Sequence, residues 1–542
     1  MKPIEKLYLG FNDAVNYQKR ENRMRFNDLF VRTEDLENVL NRSIYFIIGD
    51  KGTGKTAIST FLSNNEIQGF SSTSKFIGDT EYKKFITLKD GKQIGISDYE
   101  DIWTVILYLL ISQKIVDAEK SETIYSKHAK FKPLKEAIDD FYNKAFSPEI
   151  SVAINFVKNA GIAASILFKY IELTNSDNLS TEYSETNFQL NLLYIRKKFE
   201  DALSSLALKK NHILFIDGID LRPTNVSFEE YLECITGLTQ AAWKVNSSVF
   251  SNIKDSLGRL KVVLLMRPDI INSVGIQNMN SKIRDNSVLL NWDTTYPTHR
   301  ESNIFKVVDN LLNVQQEHRV EVGQAWDYYF PFRYAIQGNN KEEPFIAFLK
   351  LSMMKPRDII TMLRILKEIY IKNNRNKYFP VFEESDLKNS EFQRLYSEYV
   401  LGEIQDYIAF YHSKEDYELL LKFFEFLNGR TRFSFEQYIS IYNNFADFVE
   451  TSDVEVPIFF DSSDRFLQFL YEMNIIGYIE ISENGDRFYR WSYRERTIAN
   501  PNPQVKIGTE YVIHFSLFKA VKVGQKLKQR RVIRRKRHGK EK

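Results

Sequence analysis

The chain has 542 residues, too many for one compact core, so two to four domains are expected. Hydrophobic residues make up 43% and charged residues 27%, an ordinary globular composition, and 41 Phe with 30 Tyr predict aromatic-rich cores. A net charge of +3 supplies no whole-chain field for nucleic acid or a membrane surface, and the lone Cys234 excludes an intramolecular disulfide and predicts a cytoplasmic home.

In chain order, the opening MKPIEKLYLGFNDAV lacks the apolar run of a secretory signal, and residues 1–42 read as a polar, mostly helical segment. Ser43–Gly49 (SIYFIIG) is a short apolar run that stops at a glycine, which predicts a buried parallel strand. A glycine-rich string follows, and AISTFL then begins a helix. Residues 78–210 read as a long helical insert. Within it, Asp101–Lys114 is apolar enough for a core helix. Ile150–Leu173 is interrupted by Lys158 and Lys169, which leaves too short a run to cross a bilayer and predicts a buried helix. The polar stretch Asn175–Asn187 predicts a loop.

Ile213–Asp217, Leu260–Met266 and Ser287–Trp292 predict three more strands. Strands alternating with helices argue for an α/β core with a parallel sheet over residues 43–295. After Trp292 the strand signals stop. Residues 296–375 read as a helical lid, with Arg357–Glu368 patterned as a helix face and the aromatic run Trp326–Phe332 suited to the lid core. In residues 376–522, helices over 396–445 lead to a helix at Arg465–Asn474, strands at Ile475–Ile481 and Phe488–Tyr493, and an Asn484-Gly485 turn between them. That succession predicts a winged-helix-like α+β domain. Ten of the seventeen positions 526–542 are Lys or Arg, so residues 523–542 read as a basic, disordered tail.

The informative chemistry lies at Gly49-Asp50-Lys51-Gly52-Thr53-Gly54-Lys55-Thr56, followed by Ala57. It fits G-x-x-x-x-G-K-[ST] at every fixed position. Glycines let the backbone curl so that successive N–H groups face phosphate oxygens, and the following helix adds its N-terminal partial charge. The spacing predicts a loop for ATP, with Lys55 on the β and γ phosphates and the Thr56 hydroxyl on Mg²⁺. Asp217, at the end of its apolar strand, is the candidate second carboxylate on the metal side. Hydrolysis also needs a group to position water. Many ATPases of this class place Glu directly after that Asp, but Gly218 occupies the place here. The next acid, Asp220, serves either as that base or as a helix N-cap. Seven histidines are scattered without zinc-ligand spacing, and no G-x-S-x-G string supports nucleophilic serine chemistry.

The order GDKGTGKT, ILFIDGID, VVLLMRPD, an Arg before SVLLNW, then KPRDIITML resembles ATPases of AAA+/STAND type, including the origin-recognition and NACHT-like branches. More narrowly it is similar to a bacterial group of P-loop ATPases, with a Gly10-Phe11-Asn12-Asp13-Ala14 opening and a Thr509–Val521 closing string. The resemblance covers roughly residues 8–522. It implies that Arg267 is a sensor reading the γ-phosphate, that Arg284 is a finger acting on a neighbour's nucleotide, and that Arg357 is the sensor arginine of the lid. Read without the resemblance, Arg267 also suits a pair with a carboxylate near the sheet edge, Arg284 an exposed loop cation and Arg357 a surface residue at a helix start. It also implies an ATP-driven switch in a bacterial regulatory or antiphage-defence role, working as a homo-oligomer or with a partner protein and away from membranes. The missing acid at Gly218 departs from the commoner pattern. The rival reading is a DNA-acting ATPase that holds nucleic acid through the winged helix and basic tail.

Overall fold

A computed structural model describes residues 1–79, 99–119, 130–144, 181–223, 226–254, 256–275, 279–335, 341–373, 381–451, 456–497, 500 and 502–524. The buried-helix segment at 150–173, residues 175–180 and the basic tail from 525 onward lie outside the described residues. The chain divides into two compact units. One comprises Met1–Phe330, Met354–Thr361 and Thr497–Pro501; the other comprises Pro331–Met353, Met362–Arg496 and Asn502–Lys542. The stretch 296–375 is therefore divided between them.

The first unit is built on a five-stranded, all-parallel sheet. Its strands are β1 (Phe46–Ile48), β2 (Phe70–Phe76), β3 (Asn211–Asp217), β4 (Leu260–Met266) and β5 (Ser287–Leu289), in the order β2-β3-β4-β1-β5. Register pairs Ile48 with both Met266 and Leu289, Ile216 with Leu264, and Phe76 with Asp217. Parallel strands share a carboxyl edge, so Gly49, Gly218 and Arg267 follow their strands on one side of the sheet.

The three central strands are apolar because both faces are covered. On one face Ile47, Ile213, Phe215, Val263, Leu265 and Val288 pack under Ile58, Phe61 and Leu62 of the helix Lys55–Asn64 and under the N-terminal helices Arg20–Leu29 and Glu34–Leu40. Each such side chain contributes about 1.5–3 kcal/mol through burial. On the other side the helix Tyr99–Glu119 touches β3 and packs on the helix Phe228–Lys244, which touches β4. A Cβ at Gly237 would stand 2.5 Å from Tyr99 Cβ, so this glycine permits that approach.

β2 has no counterpart in the sequence reading. FSSTSKF is polar, with no apolar run, because an edge strand is only half-buried and is held by its ladder to β3. The stretch 175–187 also differs from the loop expectation. From Thr181 it belongs to the helix Thr181–Ser204, most of whose apolar residues from Leu190 onward are buried. After the helix Phe228–Lys244 the chain widens into a five-residue π turn, Val245–Val249. The turn holds the buried Asn246 amide against β4, where it donates to Val262 O at 2.8 Å and accepts from Val262 N at 2.9 Å. The amide thereby stands in for ladder partners beside β4 where β1 has not yet begun.

The aromatic run is core: Trp326, Tyr329 and Phe330 are buried, and Asp309 accepts from Gly323 N and Trp326 N at 2.9 Å each.

The second unit is α+β. Its antiparallel sheet has the order β10-β9-β11-β8, from β8 (Arg432–Ser434), β9 (Ile476–Ile481), β10 (Arg487–Arg490) and β11 (Glu510–Ile513). The helix Ser463–Glu472, β9, a tight turn with Gly485 at φ 84° and β10 follow the expected succession of helix, strand, turn and strand, but β10 ends at Arg490 and Ser492–Glu495 is a short helix where the sequence predicts a strand as far as Tyr493. Tyr334–Ala335 (β6) pairs with Lys341–Glu342 (β7), a short ladder in a stretch without strand signals.

Candidate functional site

β1 delivers the chain to Gly49, whose N–H donates to Met266 O at 3.1 Å and so stays tied to β4. The loop then curls. Gly52 and Gly54 sit at φ 89° and 97°, Thr53 N donates to Asp50 O at 3.3 Å, and Thr53 Oγ1 donates to the same carbonyl at 2.8 Å. Gly54 opens the helix Lys55–Asn64. At Gly52 a side chain is excluded twice over. Its φ is left-handed, and a Cβ there would lie 3.3 Å from Arg357 Cβ and 3.6 Å from Lys355 Cδ.

Lys55 is 8% exposed and folds back into the loop, where Nζ donates to Gly49 O at 2.7 Å and to Asp50 O at 3.0 Å. Burial pushes its pKa down, while Asp220, Asp217 and Asp50 oppose the fall and Arg267 adds to it. Thr56 Oγ1 donates to Asp217 Oδ2 at 2.7 Å, across 161 residues of chain. The other Asp217 oxygen accepts from Gly218 N at 2.8 Å. Asp217 is 5% exposed, and burial raises its pKa, with the bonds from Thr56 and Gly218 and the charge of Lys55 acting against the rise. Two hard oxygen ligands thus meet beside a buried ammonium, a donor set suited to Mg²⁺.

Asp220 is half-buried and is the carboxylate that acts most strongly on the charge of Lys55. It caps no helix. The following helix begins at Phe228, and Ser227 is its cap, accepting from Glu230 N at 3.2 Å. Tyr231 steadies the loop by donating to Ile219 O at 3.1 Å.

Arg267 directly follows β4 and is buried. Nε donates to Asp269 Oδ1 at 3.0 Å and Nη2 donates to Oδ2, a fork-to-fork ion pair. Arg357 begins the helix Pro356–Lys372 and is half-buried beside Gly52. Arg284 is elsewhere in character: it is exposed on the helix Met279–Asn286 that leads into β5 and lies outside the buried charge cluster. The structure therefore gathers Lys55, Thr56, Asp217, Asp220 and Arg267 electrostatically, sets Arg357 against the loop, and leaves Arg284 on the surface. Lys51 and Ala57 are half-buried in the loop and helix start.

Three residues escaped the sequence reading. Trp292 donates from Nε1 to Thr53 O at 2.9 Å and so anchors the loop from beyond β5. Lys355 approaches Gly52, and Asp269 holds Arg267. The RPD string was the only local signal for Asp269; nothing near Trp292 or Lys355 advertises the contact.

No family model matches the chain, and no curated protein matches it. Among the described residues no helix is long and apolar enough to cross a membrane.

Proposed function

We propose that the chain is an ATP-binding and ATP-hydrolysing molecular switch of AAA+/STAND type, built on a P-loop core with a winged-helix-like partner domain. The observation that carries this reading is the 2.7 Å bond between Thr56 Oγ1 and Asp217 Oδ2 beside the buried Lys55. A glycine-rich loop, an ammonium and a strand-end carboxylate at one sheet edge are the parts that phosphoryl transfer needs.

In this reading the loop N–H groups and Lys55 bind the triphosphate, and Lys55 exchanges its bonds to Gly49 O and Asp50 O for phosphate oxygens. Thr56 and Asp217 hold Mg²⁺, which when bound neutralises phosphate charge. Arg267 and Arg357 approach the γ-phosphate. Asp220 orients the attacking water and takes its proton as ATP and water become ADP and phosphate. Exposure of Arg284 suits a residue that reaches a neighbouring subunit's nucleotide, so a homo-oligomer is part of the proposal.

Calorimetry with Mg-ATP tests binding: the wild type takes up one nucleotide and Lys55→Ala takes up none. Phosphate release tests hydrolysis, and Asp220→Ala should keep binding while losing on the order of 100-fold or more in turnover. Absence of nucleotide uptake by the wild type would sink the reading.

A further inference from the structure

Arg267 and Asp269 form a nearly dry ion pair at the carboxyl end of β4, with side chains 2% and 11% exposed. Pro268 lies between them at the first position of the helix Pro268–Val274, so the backbone that carries both groups is stiff. The guanidinium already has a full carboxylate as its partner, and it acts as a like charge on Lys55. Lys55 itself is held at short range by neutral carbonyls. Lys55 thus bonds to neutral carbonyls while also feeling the charges of Asp220, Asp217 and Asp50, whereas Arg267 bonds to a carboxylate directly.

An arriving anion can engage Arg267 only in competition with that carboxylate. We propose that Asp269 is a specificity-determining residue: its carboxylate is the counter-ion with which a γ-phosphate competes for Arg267, so it sets how strongly the site prefers a nucleoside triphosphate to a diphosphate. The inference rests on the nucleotide reading of Lys55 and Thr56 and on the approach of Arg267 to the γ-phosphate proposed above. A diphosphate leaves the ion pair intact, whereas a triphosphate trades it for a phosphate contact. Neutralising residue 269 takes a directly bonded carboxylate away from a buried guanidinium in the empty and diphosphate-bound forms. The triphosphate form suffers least, because its own anion compensates. Preference between ligands follows the difference between the forms, so it must rise.

The test measures Kd for Mg-ATP and Mg-ADP on the full chain by calorimetry, in wild type, Asp269→Asn, Asp269→Glu, Arg267→Ala and the Arg267→Ala/Asp269→Asn double variant. The ratio of the ADP to the ATP constant should rise about tenfold in Asp269→Asn. It should hold near the wild-type value in Asp269→Glu, which keeps the charge. Adding Asp269→Asn to Arg267→Ala should change nothing, because the competed-for group is gone. A flat or falling ratio in Asp269→Asn, or a rise that persists without Arg267, overturns the proposal while leaving nucleotide binding itself intact. A wild type that binds neither nucleotide overturns both. If Asp269→Asn does not fold alone, its thermal unfolding is followed in saturating Mg-ATP and in saturating Mg-ADP. Rescue by the triphosphate and not the diphosphate supports the assignment, and equal failure in both overturns it.

Discussion

Gly218 explains why this chain has no acid directly after Asp217. Its φ is 77°, and a Cβ there would stand 2.9 Å from Phe76 Cδ1 on the neighbouring edge strand. A side chain would meet both a strained backbone and an aromatic ring. Gly218→Ala should therefore lose roughly 1–3 kcal/mol, read as a lower urea midpoint. Gly218→Glu should lose at least as much and gain no ATPase activity, because a side chain added at this left-handed backbone position must displace the Phe76 ring. In the proposed mechanism the water-positioning acid is Asp220, two residues on.

A second residue-scale consequence concerns His212 at the opposite end of β3. It is fully buried, with Lys114 Nζ 3.3 Å from its Nδ1 and Ser71 Oγ accepting from the same Lys114 at 2.9 Å. Burial, reinforced by the charges of Lys114 and Lys210, pushes the imidazole down to about 3. The folded state keeps His212 neutral while the unfolded state takes up a proton near its ordinary value of 6.5. A depressed folded value gives stability that is complete above 6.5 and is lost as pH falls from there toward 3. Between pH 7 and pH 5 the wild type should lose roughly 2 kcal/mol from this group alone. His212→Gln should flatten that part of the denaturation curve; an equal slope in the variant would refute the assignment.

At the scale of elements, the loop is not held by its own strand and helix alone. Trp292, just past β5, fixes Thr53 O from outside, and β4 fixes Gly49 N. Trp292→Phe keeps the ring and removes the donor. Loss of one hydrogen bond of about 0.5–1.5 kcal/mol predicts Mg-ATP binding weaker by roughly 2- to 12-fold, with unchanged circular dichroism. The same bond ties loop conformation to the segment that follows β5, so nucleotide uptake in the proposed switch should also alter the fluorescence of Trp292. The π turn at Val245–Val249 plays a comparable part for the sheet: it spends a helical residue, Asn246, on completing the ladder of β4.

For the whole molecule, the proposed switch requires a neighbour for Arg284. Mass measurement of the full chain with and without Mg-ATP should show assembly that depends on nucleotide. Arg284→Ala should leave binding of Mg-ATP intact while lowering turnover at concentrations where assembly occurs. A single monomeric mass under both conditions, with unaltered turnover in Arg284→Ala, would remove the finger role.

Local patterns were enough to mark the glycine loop, the three central strands, the carboxylate of Asp217 and the helix–strand–turn–strand run near residues 463–490. Those signals are short-range: an apolar run means two covered faces, and left-handed glycines mean a curled backbone. Contacts made between distant segments had no such signature. The edge strand β2 is polar because half of it faces outward, and the anchors Trp292, Lys355 and Asp269 act through approach in space. From residue 181 on, the loop expected at 175–187 is helix because most apolar residues from Leu190 onward have a core to cover, and Asp220 does not cap the next helix because Ser227 does. The sequence by itself determined which groups are candidates to grip phosphate. Only the tertiary structure decided which of them share one dry cluster, because burial and charge pairing depend on strand order and not on spacing along the chain.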